Sequence, residues 1–199
     1  MISEIKVGPQ TAADGAQVTA RANKDGSLVV TSSHALYHEA GYRGAIFGAG
    51  NQAAQAVSVA LATTYTGLML YNPLGSGKIL VPLKVKYALS VAPAAIATLG
   101  LIQGVQSAAP TGLTALTVRS SQIGNSITGA GVAYSAATIA TPIWAMQLWD
   151  GFTAAALPSP TQPEDLGGLF QILPGGFLAI GALTAVTGLG SIYWEEISQ

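Results

Sequence analysis

Alternation of apolar and polar positions is clearest around residues 78–90. There Lys84 and Lys86 fall on one side of an extended chain and Leu83, Val85, Tyr87 and Leu89 on the other. Successive side chains of a strand point to opposite faces, so this segment is predicted as a strand with one wet and one buried face. Residues 67–71 form a second apolar run. The segment between them, Asn72-Pro-Leu-Gly-Ser-Gly77, has the residues that turns favour. The pattern therefore predicts a hairpin of two strands, the element that the remaining segments cover or are covered by.

Further apolar runs at 94–102, 132–139, 143–149, 169–173, 177–186 and 191–197 are separated by Gly- and Pro-containing turns. Roughly eight short strands punctuated in this way predict two packed antiparallel sheets. The jelly roll is a common eight-stranded form of that architecture. Leu68, Leu70, Leu83, Val85, Leu89 and Ile180 are the expected core positions. Residues 106–131, with Pro110-Thr-Gly112 and Gly124-Asn-Ser, are expected to be a loop-rich crossing.

The N-terminal part differs in composition. Residues 1–43 contain Glu4, Lys6, Asp14, Arg21, Lys24, Asp25, Glu39 and Arg43 and only one short β-branched run, Leu28, Val29, Val30 and Thr31. Such a segment has little capacity to form a core and is expected to be an extended arm. The expected organisation is an arm and small-residue linker over 1–52 and a β-sandwich body over 53–199. Leu28, Val29, Val30 and Thr31 can add a strand to a neighbouring protein's sheet through main-chain hydrogen bonds. Arg21 and Arg43 can set its register by ion pairs. These six residues are the candidate partner-binding positions.

Composition changes the picture in one respect. Only 9% of the 199 residues are charged, against roughly a quarter in ordinary soluble domains. Runs such as 44–77 and 120–149 carry no charge. A monomer needs more solvating charge on its surface than this, so self-association is expected, as a homotrimer. The formal net charge of −1 gives no footprint for nucleic acid. Mean hydropathy is positive, but the apolar windows 88–105 and 175–192 are diluted with Ala, Gly, Thr and Ser and lack basic flanks. Buried strands are expected there and no membrane span, and the first residues lack the pattern of a secretory signal. Cysteine is absent, which removes disulfides, thiolate ligands and a cysteine nucleophile.

Candidate chemistry is sparse. His34 and His38 stand four apart, but Ala35 occupies the position where a zincin motif has Glu, and no metal is expected. Gly48-Ala-Gly50-Asn-Gln-Ala53 fits the spacing of a dinucleotide fingerprint. No acid follows near residue 70 to hold a ribose, so no cofactor is expected and the segment is expected to be a linker. Gly75-Ser-Gly77-Lys78 lacks the first Gly and the final Ser or Thr of a phosphate-binding loop. Glu195 and Glu196 would point to opposite faces of one strand and cannot act as a close carboxylate pair. With no histidine after His38, a Ser–His pair within the body is also excluded. No catalytic residues are assigned and an enzyme is not expected. Trp144, Trp149 and Trp194 are expected in core or trimer-axis packing, with a carbohydrate platform as the other use of such side chains.

Several segments, taken together, resemble a family of tailed-bacteriophage virion proteins. They are Arg43-Gly-Ala-Ile-Phe through Asn51-Gln-Ala, then Ala60-Leu-Ala-Thr-Thr-Tyr-Thr-Gly-Leu, Tyr71-Asn-Pro, Leu89-Ser-Val-Ala-Pro-Ala-Ala, Pro174-Gly-Gly-Phe-Leu-Ala-Ile and Trp194-Glu-Glu. The resemblance implies a jelly-roll-like structural protein that binds the major capsid protein or other virion proteins. It implies a capsid cement or decoration role on the capsid surface, with assembly in the host cytoplasm. The alternative expectation is a receptor- or glycan-binding β-sandwich of a phage tail or fibre, which would expose Trp or Tyr beside a carboxylate.

Overall fold

The computed structural model describes residues 36–95, 97–150 and 162–199. The chain divides into Met1–Glu39 and Ala40–Gln199. Arg21, Leu28, Val29, Val30, Thr31 and His34 lie outside the described residues, as does nearly all of the expected arm. The second unit begins within a five-residue helix, α1 (His38–Tyr42), and is otherwise built of strands. They are β1 (Ile46–Gly50), β2 (Gln55–Val57), β3 (Thr64–Tyr71), β4 (Lys78–Leu89), β5 (Thr98–Val105) and β6 (Thr111–Leu116). After them come β7 (Arg119–Ser120), β8 (Val132–Thr138), β9 (Ile143–Asp150), β10 (Gln162–Asp165), β11 (Gly176–Ala182) and β12 (Val186–Ser198). Among the described residues no helix is long and apolar enough to cross a membrane.

Two six-stranded sheets result. One has the order β10-β4-β12-β1-β7, with β2 also paired to β12; the other has the order β6-β8-β3-β11-β5-β9. The pairing is nested. β1 pairs with β12, β3 with β11, β4 with β10 and β5 with β9, all antiparallel. These eight strands therefore form one long antiparallel ribbon with its tip at β5 and β9. Rolling the ribbon sets β12 beside β4 and β11 beside β5. That is the jelly-roll topology, and it agrees with the all-β sandwich expected from the turn spacing. The segment inserted at the ribbon's tip supplies β7 to the edge of the first sheet and β8 and β6 to the edge of the second.

The nested order corrects several expectations. The runs at 67–71 and 78–90 are both strands, but β3 and β4 lie in opposite sheets. The turn between them is an arch across the sandwich and not a hairpin. Its anchor is Asn72, which is fully buried. The Asn72 Nδ2 group donates to the carbonyls of Lys78 and Ile172, each at 2.8 Å, and its Oδ1 accepts from Ser76 Oγ at 2.6 Å. Residues 46–50, expected as linker, form β1, paired on both sides. The sandwich therefore begins before residue 53. Residues 162–165, within an expected Pro-rich loop, form β10, and residues 169–173 lie outside any strand, with one isolated bridge between Ile172 and Leu80.

The space between the sheets is filled by Leu68, Leu70, Leu99, Leu101, Leu178 and Ile180 from one side and Phe47, Leu80, Val85, Tyr87, Ile192 and Trp194 from the other. Leu83 is also buried and Leu89 packs at the margin. Full burial of one such side chain contributes about 1.5–3 kcal/mol. Trp194 is fully buried beside Phe47, with ring centroids 6.3 Å apart. Its indole N–H donates to Glu196 Oε1 at 3.1 Å, and the same carboxylate accepts from the amides of Ala130 and Gly131, each at 2.9 Å. A Cβ on Gly131 would stand 2.9 Å from the Trp194 Nε1 atom, so only glycine lets this loop close over the indole.

Candidate functional site

The two sheets differ in charge. The first carries Lys78, Lys84, Lys86, Arg119, Glu164, Asp165, Glu195 and Glu196; the second carries Asp150 alone. They are called here the charged sheet and the neutral sheet. Along β3, Leu68 and Leu70 point to the inter-sheet core, whereas Met69 and Tyr71 point to the opposite face. With Ile102, Phe177, Ala179 and Ala137 they build a second, smaller core on the far side of the neutral sheet. The central strands β3, β5 and β11 of the neutral sheet are thus buried on both faces, the charged sheet on one.

At one end of the neutral sheet the apolar surface emerges. A cleft of about 430 Å³ lies between the end of β5, the start of β9, residues 170–174 and the start of β11. Phe170, Phe177 and Leu178 line it, and no charged residue among the described residues does. Around it Val105 and Leu169 are each 71% exposed, Ile143 54% and Leu173 52%. The neutral sheet's edge strand β6 is also uncharged, with almost every residue exposed. The edges of the charged sheet differ: β7 has two residues, and β10 contains Pro163, Glu164 and Asp165. Short, charged or Pro-containing edges resist further strand pairing; β6 has none of these features.

A second concavity lies on the outer face of the charged sheet. Register places Arg119, Gly48, Tyr193 and Lys84 in one row across β7, β1, β12 and β4. Gly50, Ser191 and Lys86 form the next row. Directly opposed residues of a sheet share a face, so these side chains project together. All of them except Lys84 line a groove with a volume of about 650 Å³. The Tyr193 ring lies over Gly48, where a Cβ would stand 2.7 Å from it, so only glycine lets the ring settle on the sheet.

The expected site residues fall as follows. Arg43 is exposed just after α1, whose carbonyls at Gly41 and Tyr42 accept from Gln122 Nε2 at 2.9 and 2.6 Å. His38 lies in α1, and among the described residues no three His, Cys, Asp or Glu are grouped to hold a metal ion. Gly48 and Gly50 lie inside β1, not at a turn from strand to helix, so the dinucleotide spacing has no cradle. Of the tryptophans, Trp194 is core and Trp144 is partly exposed on β9. Sequence reasoning missed the groove, because Gly48, Arg119 and Tyr193 are distant in sequence and meet only through strand register.

Burial raises the phenol pKa of Tyr65, whose hydroxyl lies 2.8 and 2.7 Å from the carbonyls of Leu68 and Ile180. Burial also raises Tyr87 and, less completely buried, Tyr134. Burial thus favours the neutral form of these phenols. No family model, no curated protein and no solved structure matches this chain.

Proposed function

We propose that the protein is a non-catalytic structural component of a tailed-phage virion, a cement or decoration protein on the capsid surface. It assembles in the host cytoplasm and clamps neighbouring subunits of the major capsid protein. The observation that carries this reading is the neutral sheet, with its uncharged cleft and open edge strand. Burying an unpaired charge costs several kcal/mol, so a surface made to be covered by protein is left without charge. Exposed apolar residues grouped at one end mark an interaction site, and here Val105, Ile143 and Leu173 line the cleft, with exposed Leu169 next in the chain to its Phe170.

In this proposal the cleft joins copies of the chain into a trimer. The segment 1–43 supplies separate contacts to the capsid, with strand addition by Leu28, Val29, Val30 and Thr31 and ion pairs from Arg21 and Arg43. Several weak contacts on one assembly combine through high effective concentration. Co-sedimentation of the full chain with phage heads tests the proposal, with the 40–199 fragment compared after its fold is verified by circular dichroism. The full chain is expected to sediment with heads and the fragment to bind more weakly. Full-chain protein that stays in the supernatant at saturating head concentration would rule out the cement role.

A further inference from the structure

We infer that the groove on the outer face of the charged sheet binds an acidic saccharide, a sugar ring carrying a carboxylate. This inference is independent of the assembly role, because it uses the opposite sheet. The groove volume of about 650 Å³ falls within the few hundred to a thousand Å³ common for small-ligand sites. Three features converge on it.

Tyr193 is 43% exposed, and its ring lies over Gly48, where no other side chain lifts it from the sheet. A half-exposed aromatic ring lying flat on the sheet offers the apolar face of a sugar a surface to pack on. Arg119 and Lys86 border the groove, and neither has an ion-pair partner among the described residues. Arginine can hold a carboxylate with two parallel hydrogen bonds. Ser191 and Asn51 add neutral polar groups for hydroxyls.

Charge balance selects against polyanions. Lys84 on the same face is 3.6 Å from Asp165, and Glu195 follows Tyr193 two residues on, on the same face of β12. A single carboxylate between Arg119 and Lys86 is matched, whereas a run of phosphates would meet Glu195 and Asp165. An extended peptide is also disfavoured. β1 and β12 are already paired on both sides along the floor, so no main-chain ladder is available to it.

Isothermal titration calorimetry of the full chain with a hyaluronan tetrasaccharide tests the inference. The neutral chitin tetrasaccharide, hexaglutamate and a hexameric oligothymidylate serve as comparators. The acidic sugar is expected to bind at least about tenfold more tightly than the other three, a factor set by one charge-assisted contact. Arg119→Ala and Tyr193→Ala should each weaken it about tenfold by the same arithmetic, Arg119→Lys should weaken it less, and Lys78→Ala should leave it unchanged. Thermal midpoints of all variants are measured alongside, and the exposed Lys86→Ala is included because Lys86 has no ion-pair partner among the described residues to lose. Absence of binding, equal binding of the neutral sugar, or tighter binding of hexaglutamate or oligothymidylate would overturn the inference. So would binding insensitive to both Arg119→Ala and Lys86→Ala.

Discussion

Met69 on β3 and Leu189 on β12 are both apolar and both point away from the inter-sheet core. Met69 is fully buried, and Leu189 is 43% exposed among Ser191, Tyr193 and Lys86. The same contrast runs through the two sheets. The neutral sheet has apolar residues on both faces and one charge at a strand end; the charged sheet alternates, with Lys84 and Lys86 outward and Val85 and Tyr87 inward. A face that carries charge remains wet, because desolvating an unpaired charge outweighs what burying the methylenes around it returns. A face without charge is free to be covered, by its own chain or by another.

Substitutions in the two sheets separate these cases most sharply. Leu178→Ala, in the inter-sheet core, and Met69→Ala, in the second core, should each destabilise by about 2–5 kcal/mol in chemical denaturation. Leu189→Ala on the charged sheet should cost less than about 0.5 kcal/mol. A Met69→Ala variant as stable as Leu189→Ala would mean that the far face of the neutral sheet is not a core.

The arch that joins the sheets comes next. Asn72→Ala removes two donors from buried carbonyls and the acceptor of Ser76, and should cost about 1–3 kcal/mol. If denaturation shows no loss, the arch is held by its backbone alone.

The alternation at 83–89 was legible because a strand wet on one face has a period of two. Strand β3, buried on both faces, reads as the unbroken run Leu68-Met-Leu-Tyr71, which locates a strand without saying which side faces the core. The Gly- and Pro-rich turns placed most elements, yet Asn72-Pro-Leu-Gly-Ser-Gly77 could not reveal that its strands part into different sheets. That depends on their sheet neighbours β11 and β12, about 100 residues downstream. Residues 46–50 were misread because Gly48, Ala49 and Gly50 have low strand propensity; what makes them a strand is pairing with β12. Pro163 hid β10, whose place at a sheet edge tolerates it. The groove left one trace in the sequence, the outward alternation of Leu189, Ser191, Tyr193 and Glu195. Arg119 and Gly48 join it through tertiary structure only.

Alkaline pH acts on both cores, through Tyr87 between the sheets and Tyr65 in the second core. Burial holds Tyr65 and Tyr87 above the ordinary phenol value of 10.0. The unfolded chain therefore releases these protons first, and stability is fully present below pH 10 and falls as pH rises beyond it. Thermal midpoints measured between pH 8 and 11 should be steady at first and then drop, and Tyr65→Phe should reduce the drop. A midpoint that is unchanged up to pH 11 would show that these phenols ionise as easily folded as unfolded.

The smallest effects are expected at two polar groups, one on each sheet. Lys84 and Asp165 form a half-exposed pair on the charged sheet, and Asp165→Asn should change stability by about 0–1 kcal/mol. The Tyr71 hydroxyl is buried on the neutral sheet without a partner among the described residues. Tyr71→Phe should therefore be neutral or slightly stabilising in denaturant titrations, and a large loss would reveal a bond to that hydroxyl.

The claim that the neutral sheet is made to be covered is tested most directly by the solution mass of the full chain. Light scattering at micromolar concentration is measured for the unaltered protein, for Val105→Lys with Leu173→Lys at the neutral cleft, and for Ile197→Lys on the charged sheet. The account predicts a trimer for the unaltered protein and for Ile197→Lys, and a folded monomer for the cleft variant. A monomeric unaltered protein, or a trimer that survives lysines in the cleft and dissociates with Ile197→Lys, would contradict it.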